Sequence, residues 1–175
     1  MKRSLVLLAL AALLPATCAI AADDVTSPWS MQFSGTAQHF QQPTDGVHHW
    51  NQKNWGVGLQ YTVAESWPGW SRGYTVGTMK DSFGAGGAYA GILELREFPI
   101  TPAFKTQAGV GLFGFYRTFS WNGPYQVVAA PLPMVHVEHR STGLGLNVLM
   151  APRINFGSHG GELPAFVFFQ ASKTF

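Results

Sequence analysis

The chain of 175 residues combines few charges with many aromatic residues: 11% of its residues are charged, 14% are aromatic, and 20 are glycines. A secretory signal is predicted over residues 1–21, because Lys2 and Arg3 precede an apolar run and a small-x-small motif. Without this segment the chain has nine basic and nine acidic residues and has lost its one cysteine, Cys18. The predicted mature chain therefore excludes disulfides, cysteine metal sites and cysteine nucleophiles, and a basic surface for nucleic acid has no support.

We expect the mature chain to begin at Ala22 and to form a single domain over residues 22–175. The apolar run of the signal, Leu5 to Leu14, is too short to span a bilayer as a helix. An exported chain that is poor in charge and rich in glycine and aromatic residues is typical of an outer-membrane β-barrel. The alternating strands of such barrels hide their hydrophobicity from any average taken along the sequence.

Alternation of apolar and polar residues with a period of two predicts eight strands. The second is the clearest, since Trp55, Val57 and Leu59 alternate with glycine and polar residues. The sixth is short and follows a long aromatic loop over residues 118–133. The predicted strands are residues 29–38, 54–63, 73–79, 88–98, 104–117, 135–140, 144–150 and 165–172.

An even number of strands, with short turns at one end and longer loops at the other, is typical of small outer-membrane barrels. The chain also ends on an aromatic residue, Phe175, as the last strand of such barrels commonly does. We therefore predict an all-β fold, an eight-stranded antiparallel transmembrane β-barrel in the outer membrane. We expect it to be a monomer.

The inward faces of the predicted strands divide the lumen into two halves. The external half is apolar, and its predicted lining includes Met79, Ala90, Ile92, Phe113, Phe115, Phe166 and Phe168. The periplasmic half is polar, and it includes Gln32, Gln60, Glu94, Arg96, Lys105, Gln107 and Gln170. Because an eight-stranded barrel can hold one small ligand, the apolar half predicts a slot for a hydrocarbon chain. A packed apolar core without a ligand is the alternative.

Three strand ends are predicted to meet at the external end of the barrel, carrying His39, then Asp81 with Ser82, then Arg117. A base, an orienting acid, a hydroxyl and a cation for phosphate or an oxyanion are the groups that acyl transfer needs. We expect His39 to act as the general base and Asp81 to orient it. By strand parity Asp81 faces the interior, whereas Ser82 does so only if the strand has already ended.

Other residues offer alternatives to this site. His48 and His49 in the first loop are alternative bases, and Ser158 with His159 forms a rival Ser–His pair. Potential metal ligands occur near the sixth strand, at His136, Glu138 and His139. Their spacing matches no established motif, and no metal is predicted. The chain lacks the His-x-Ser arrangement expected of an outer-membrane lipid A deacylase.

Three stretches of the chain resemble, in order and rough spacing, motifs of the lipid A palmitoyltransferases (PagP type). They are residues 50–58 (WNQKNWGVG), residues 79–83 (MKDSF) and residues 131–133 (PLP). The resemblance implies an eight-stranded barrel whose lumen measures an acyl chain. It also implies transfer of palmitate from a phospholipid donor to a hydroxyacyl chain of lipid A, without a cofactor. The family's catalytic residues would fall on His39, Asp81 and Ser82, and Arg117 would match its arginine.

The chain departs from the better-known members of that family at two places. Residues 22–28 are too few for the amphipathic helix that precedes the barrel in the family, and Ser34 and Gly143 stand where prolines open a lateral path for lipid. The sequence therefore leaves the path of the lipid and the acylated position open. The alternative function is a non-enzymatic small barrel that stabilises the envelope or binds an apolar ligand; a lipase or deacylase is a third.

Overall fold

A computed structural model describes residues 27–43, 47–155 and 162–175 of the chain. Eight antiparallel strands form a closed barrel in which consecutive barrel strands are neighbours and the last strand closes against the first. The predicted all-β, eight-stranded antiparallel fold is confirmed. The barrel strands are β1 (Trp29–His39), β2 (Lys53–Trp67), β3 (Trp70–Lys80), β4 (Gly86–Glu97), β5 (Phe104–Thr118), β6 (Tyr125–His139), β7 (Leu144–Ala151) and β10 (Phe166–Thr174).

Two further strands, β8 (Ile154–Asn155) and β9 (Glu162–Leu163), form a separate two-stranded ribbon between β7 and β10. The predicted signal segment and the rival pair Ser158 and His159 lie outside the described residues. Within the described ranges, no helix has the length and apolar character needed to cross a membrane. We call the end of the barrel at which β1 finishes the loop end, and the opposite end, with the tight β2–β3 hairpin, the turn end.

Strand β6 is much longer than predicted. It begins at Tyr125, so most of the predicted aromatic loop over residues 118–133 is strand, and Pro131 and Pro133 lie within it. Both prolines oppose β5, but the pairing of β6 with β7 starts only at Met134 opposite Leu149. The part of β6 towards the loop end is therefore an edge, and edge strands accept proline because one side needs no N–H donor.

Among the described residues, β6 therefore has no strand partner on its β7 side near the loop end. Sequence analysis found Ser34 and Gly143 where the family has prolines, whereas the structure places Pro131 and Pro133 within a wall strand. Ser34, by contrast, lies at an irregularity of β1, where the register shifts between Ser34 and Thr36, and Gly143 lies in the β6–β7 turn with φ +63°.

The predicted inward face of β4 is wrong. Ala90 and Ile92 are exposed on the outside of the barrel, whereas Tyr89 and Leu93 are buried in the lumen. Both faces of β4 carry apolar residues, so alternation alone does not identify the inner one. The pairing with β3 identifies it, because paired residues share a face. Thr75 of β3 faces inward and pairs with Gly91, so Tyr89, Gly91 and Leu93 also face inward. Glu94 and Arg96, predicted in the lumen, share the outer face for the same reason, and Glu94 forms an ion pair there with Arg72.

The outer face of the barrel is strongly apolar. Its exposed side chains include Met31, Phe33, Val57, Leu59, Val76, Ile92, Val110, Leu112, Val135 and Val137. Contiguous apolar surface of this extent is rare on proteins that stay in water. The barrel therefore has an outside suited to an apolar surrounding.

The lumen has an apolar layer towards the loop end and a polar layer below it, as predicted. The boundary is a hydrogen-bonded group around Tyr89, whose hydroxyl donates to Gln32 Oε1 (3.1 Å) and accepts from Gln170 Nε2 (3.1 Å). Gly58 and Gly77 make room for this ring, since a Cβ at either position would lie within 2.5 Å of the Tyr89 hydroxyl. This group forms the floor of the apolar layer.

Candidate active site

A tight turn between β3 and β4 carries Asp81 and Ser82. Strand β3 ends at Lys80, Asp81 N donates to Ala85 O (2.8 Å), and Gly84 N donates to Asp81 O (3.0 Å). The turn needs a left-handed residue, which Gly84 supplies at φ +83°. Because the strand has ended, parity no longer governs Ser82. Both side chains turn inward and are buried, with 1% of Asp81 and 2% of Ser82 exposed.

His39 is the histidine that meets Ser82. It is the last residue of β1, is buried, and its Nε2 lies 2.9 Å from Ser82 Oγ. The alternative bases His48 and His49 are exposed in the first loop, and the His48 ring stacks on Trp121 instead. The structure thus brings together a buried imidazole and a buried hydroxyl in the geometry of a base and its proton donor.

Asp81 does not orient His39, contrary to the expectation from sequence. Its Oδ1 accepts hydrogen bonds from Phe83 N and Ala85 N (both 2.9 Å), which hold the turn itself. Its Oδ2 accepts from Thr118 Oγ1 (2.9 Å) and Thr118 N (3.3 Å) at the end of β5. With four donors already bound, the carboxylate ties the Ser82 turn to β5, and no acidic side chain of the described residues bonds the imidazole.

Arg117 completes the predicted group and is almost fully buried, at 5% exposure. Its Nε lies 4.0 Å from Asp81 Oδ2 and donates to Thr118 O, and its guanidinium lies 6.0 Å and 5.5 Å from the ring centres of Phe83 and Phe119. The terminal nitrogen Nη2 of the Arg117 guanidinium, by contrast, is buried and has no hydrogen-bond partner in the described structure. A buried guanidinium nitrogen without a partner is available to an anion or a carbonyl oxygen of a ligand.

Sequence analysis missed several residues that build the site. Asn51 N donates to Ser82 O (2.7 Å), and Asn51 Nδ2 donates to Asp81 O (2.9 Å), so the first loop is fastened to the turn. Asn54 Nδ2 donates to Lys80 O (2.8 Å), while Asn54 Oδ1 is buried in the described structure without a partner. Both asparagines lie in the stretch quoted for the family resemblance, which was the one signal that could have identified them.

Below this group lies an apolar cavity of about 940 Å³, a volume that includes the part open at its mouth. The part of it that the centre of a water-sized molecule can occupy is about 60 Å³. Of the seven side chains predicted to line the apolar half of the lumen, five line this cavity: Met79, Phe113, Phe115, Phe166 and Phe168. Arg117, Asp81 and Ser82 of the predicted site line it as well. Ala90 and Ile92 do not line it, and β4 contributes Tyr89 and Leu93 instead.

Strand β6 supplies further lining that the sequence did not reveal, because this part of the chain was predicted to be a loop. These residues are Val128, Ala130, Leu132 and Met134. The polar floor around Tyr89 closes the cavity towards the turn end, where a second, polar chamber begins. Asp81, Ser82 and Arg117 stand at the mouth, so a chain filling the cavity would end next to them.

The residues considered for a metal are arranged differently. His136 Nδ1 lies 2.6 Å from Asn147 Oδ1, and His136 Nε2 lies 3.7 Å from Glu138 Oε2 in the polar chamber. His139 lies beside Ser141 and Thr142 in the turn. Across residues 27–43, 47–155 and 162–175, no three His, Cys, Asp or Glu side chains come together as a metal site would require.

No protein-family model and no curated protein matches the chain. Among solved structures, one similar structure is the backbone structure of the Yersinia pestis outer membrane protein Ail in a phospholipid bilayer nanodisc. The two sequences are 10% identical, the match covers 86% of this chain and 100% of that chain, and the TM-score is 0.44. The chemistry of the site has to be judged from its own geometry.

Proposed function

We propose that the protein is an outer-membrane acyltransferase that moves a palmitoyl-type chain from a glycerophospholipid to a hydroxyacyl chain of lipid A at the outer leaflet. The observation that carries the proposal is the Ser82–His39 hydrogen bond at the mouth of a blind apolar cavity. The same residues were expected from the resemblance to lipid A palmitoyltransferases. No cofactor is required by this chemistry.

The outer surface supports a place in a membrane. Exposed apolar side chains cover the outward faces of the strands, as in barrels whose wall contacts lipid. In such barrels the longer loops lie outside the cell, which would put Ser82 and His39 at the outer leaflet, where lipid A is found. The predicted secretory signal agrees with export.

The cavity supports an acyl chain as the bound group. Burial of a methylene from water contributes about 0.8 kcal/mol, but a chain that comes from lipid gains almost nothing by moving to an equally apolar cavity. The cavity would therefore select a chain by its length and not by tight binding. The floor around Tyr89 would set the maximum length, because it closes the apolar layer with hydrogen-bonded polar groups.

The polar groups at the mouth suit transfer of the acyl group. His39 Nε2 would accept the proton of the acceptor hydroxyl, either directly or through Ser82 Oγ, as the oxygen of that hydroxyl attacks the donor ester carbonyl. The new ester bond forms as the donor ester C–O bond breaks, and the proton passes to the departing lysophospholipid oxygen. Arg117 Nη2 would stabilise the negative charge of a phosphate or of the reacting carbonyl oxygen.

The β6 edge facing β7 would offer a lateral path for lipid. Among the described residues, the β6 segment that carries Pro131 and Pro133 has no strand partner on that side, and the cavity-lining residues Ala130 and Leu132 belong to the same segment. A lipid chain could pass there from the membrane into the cavity without its headgroup crossing the barrel.

Mass spectrometry of lipid A from intact membranes tests the proposal. We expect cells with the gene to contain lipid A heavier by one acyl chain, and Ser82→Ala or His39→Ala to lower that product at least 100-fold, as for loss of general acid–base or nucleophilic groups, roughly 10²–10⁴-fold. His49→Ala, which alters an exposed loop histidine, is the matched control and should retain activity. Unchanged lipid A would favour the non-enzymatic barrel, and lighter lipid A would favour a deacylase.

A further inference from the structure

The imidazole of the candidate site lacks the partner that usually holds such a base. In a Ser–His–acid triad, the acid bonds the second ring nitrogen, orients the imidazole and stabilises the imidazolium that forms. Here His39 Nδ1 is buried and has no hydrogen-bond partner in the described part of the chain. Asp81, the acid expected from the sequence to orient the imidazole, is bound to Phe83, Ala85 and Thr118. Among the described residues, the side chains in contact with the imidazole are aromatic.

Trp50 lies against the imidazole. The ring centres of His39 and Trp50 are 5.6 Å apart and the rings are nearly parallel, at 25°. Phe166 also contacts the imidazole, at 5.5 Å, but its ring is tilted by 52°. Because the indole of tryptophan has the strongest negative face of the aromatic side chains, it is the best neutral partner for an imidazolium.

Several contacts fix Trp50 itself. Its Nε1 donates to Gln41 O (2.8 Å), Trp121 stacks on it at 5.1 Å and 22°, and Phe83 meets it edge-on at 5.3 Å. The side chain is buried, at 9% exposure. An exposed or mobile indole would orient nothing, whereas this one is held on several sides.

Trp50 is also tied to the Ser82 turn. The next residue, Asn51, donates its backbone N–H to Ser82 O at 2.7 Å, and Phe83, which follows Ser82, contacts the indole. The position of Trp50 is thereby linked to the imidazole on one side and to the hydroxyl on the other. No other aromatic side chain among the described residues has ring contacts recorded with both His39 and the Ser82 turn.

We propose that Trp50 is a positioning residue for the acyl transfer, an inference that rests on the function proposed above. Its indole face holds the His39 imidazole against Ser82 Oγ and stabilises the imidazolium formed when His39 Nε2 accepts a proton. The proton is later returned to the departing lysophospholipid oxygen, so the imidazole is regenerated. The indole face thus performs the orienting and charge-stabilising functions that a carboxylate performs in a triad.

Kinetics of the purified full-length protein in vesicles that contain phospholipid and lipid A test this proposal. We expect Trp50→Leu to lower kcat about 10- to 30-fold, as expected for loss of a desolvated cation–π contact, with KM within about twofold. Trp50→Phe keeps a stacked ring and should give an intermediate kcat. Trp67→Leu, the same change at an exposed position on the turn end, is the matched control and should leave kcat unchanged.

A second measurement reports on the imidazole directly and does not depend on activity. In protein with ¹³C-labelled histidine, the His39 ring signal is identified by its loss in His39→Ala. It should move in Trp50→Leu, because the ring current of the indole is removed, and stay in place in Trp67→Leu. Heat-modifiable migration on gels verifies that each variant is a folded barrel.

The outcomes separate this inference from the proposed function. If the wild-type protein transfers no acyl chain, the proposed function fails, and the positioning role fails with it. If the wild type is active and His39→Ala is not, a Trp50→Leu variant with unchanged kcat, or with only KM raised, overturns the role of Trp50 alone. An unmoved His39 signal in folded Trp50→Leu overturns it as well.

Discussion

At the scale of single residues, the carboxylate of Asp81 organises the candidate site without contacting the base. It accepts hydrogen bonds from Phe83, Ala85 and Thr118, and it lies 4.0 Å from Arg117 Nε. Such an arrangement positions the Ser82 turn against the end of β5. His39 is held by ring contacts with Trp50 and Phe166, whereas Ser82 is held by the turn that Asp81 fastens.

Asp81→Ala should loosen the turn. The substitution leaves the amides of Phe83 and Ala85 and the hydroxyl of Thr118 without their acceptor, and each unsatisfied buried donor costs about 1–3 kcal/mol. We expect exchange of the Phe83 and Ala85 amide hydrogens to accelerate about 10- to 100-fold, measured by hydrogen–deuterium exchange. Thr118→Val removes one of these bonds and should have a smaller effect. Unchanged exchange in Asp81→Ala would contradict the assigned role.

At the scale of elements, the face that each strand turns inward decides what the cavity can hold. Strand β4 presents Leu93, 1% exposed, to the cavity and Ile92 to the outside. Glycines on both sides make room for this leucine, since a Cβ at Gly73 or Gly111 would lie 3.1 Å or 2.6 Å from its methyl groups. The lumen at this height is therefore closely filled by Leu93 together with Phe113.

If the proposed function holds, Leu93→Phe should shorten the acyl chain that is transferred. The larger ring would fill the lower part of the cavity, and overpacking would lower the free energy of unfolding by about 1–3 kcal/mol. Mass spectrometry of the acylated product, with a mixture of donor phospholipids, measures the chosen length. Ile92→Phe makes a similar change on the outer face and should leave the length unchanged. The reverse result would restore the face predicted from sequence.

At the scale of the whole molecule, the barrel is apolar on its outside and has a lumen divided into an apolar and a polar layer. The outer face suits a bilayer, and the apolar layer lies at the loop end, where His39, Ser82 and Arg117 meet. Among the described residues, the β6 segment before Met134 pairs with β5 but not with β7 near that end. Membrane placement, chain binding and access of lipid would all follow from this one arrangement.

Leu112→Arg tests the membrane placement. Leu112 is exposed near the middle of β5, and an arginine at the middle of a bilayer costs a barrel about 2–4 kcal/mol. Val127, exposed near the loop-end start of β6, would lie close to the membrane surface, where the cost is about 0–1 kcal/mol. Denaturant unfolding from vesicles measures both variants. Equal effects of Leu112→Arg and Val127→Arg would contradict the placement.

The sequence by itself determined the number of strands and their antiparallel order, because an outward apolar face and an inward polar or glycine-rich face impose a period of two. Strand β2 was located in this way, and so was β5. It also placed His39, Ser82 and Arg117 at one end, since alternate strand ends of an antiparallel barrel meet there. Where both faces are apolar the period disappears, which is why the start of β6 at Tyr125 was missed and the inner face of β4 was mistaken.

Only the tertiary structure decided what surrounds His39. The partners of Asp81 depend on a turn with a left-handed Gly84 and on Thr118 from a strand 37 residues away. The stacking of Trp50 on the imidazole depends on how a loop folds over the barrel end. Spacing along the chain predicts neither the partners of Asp81 nor the stacking of Trp50. Both are contacts between segments that lie far apart in sequence and meet only in the folded barrel.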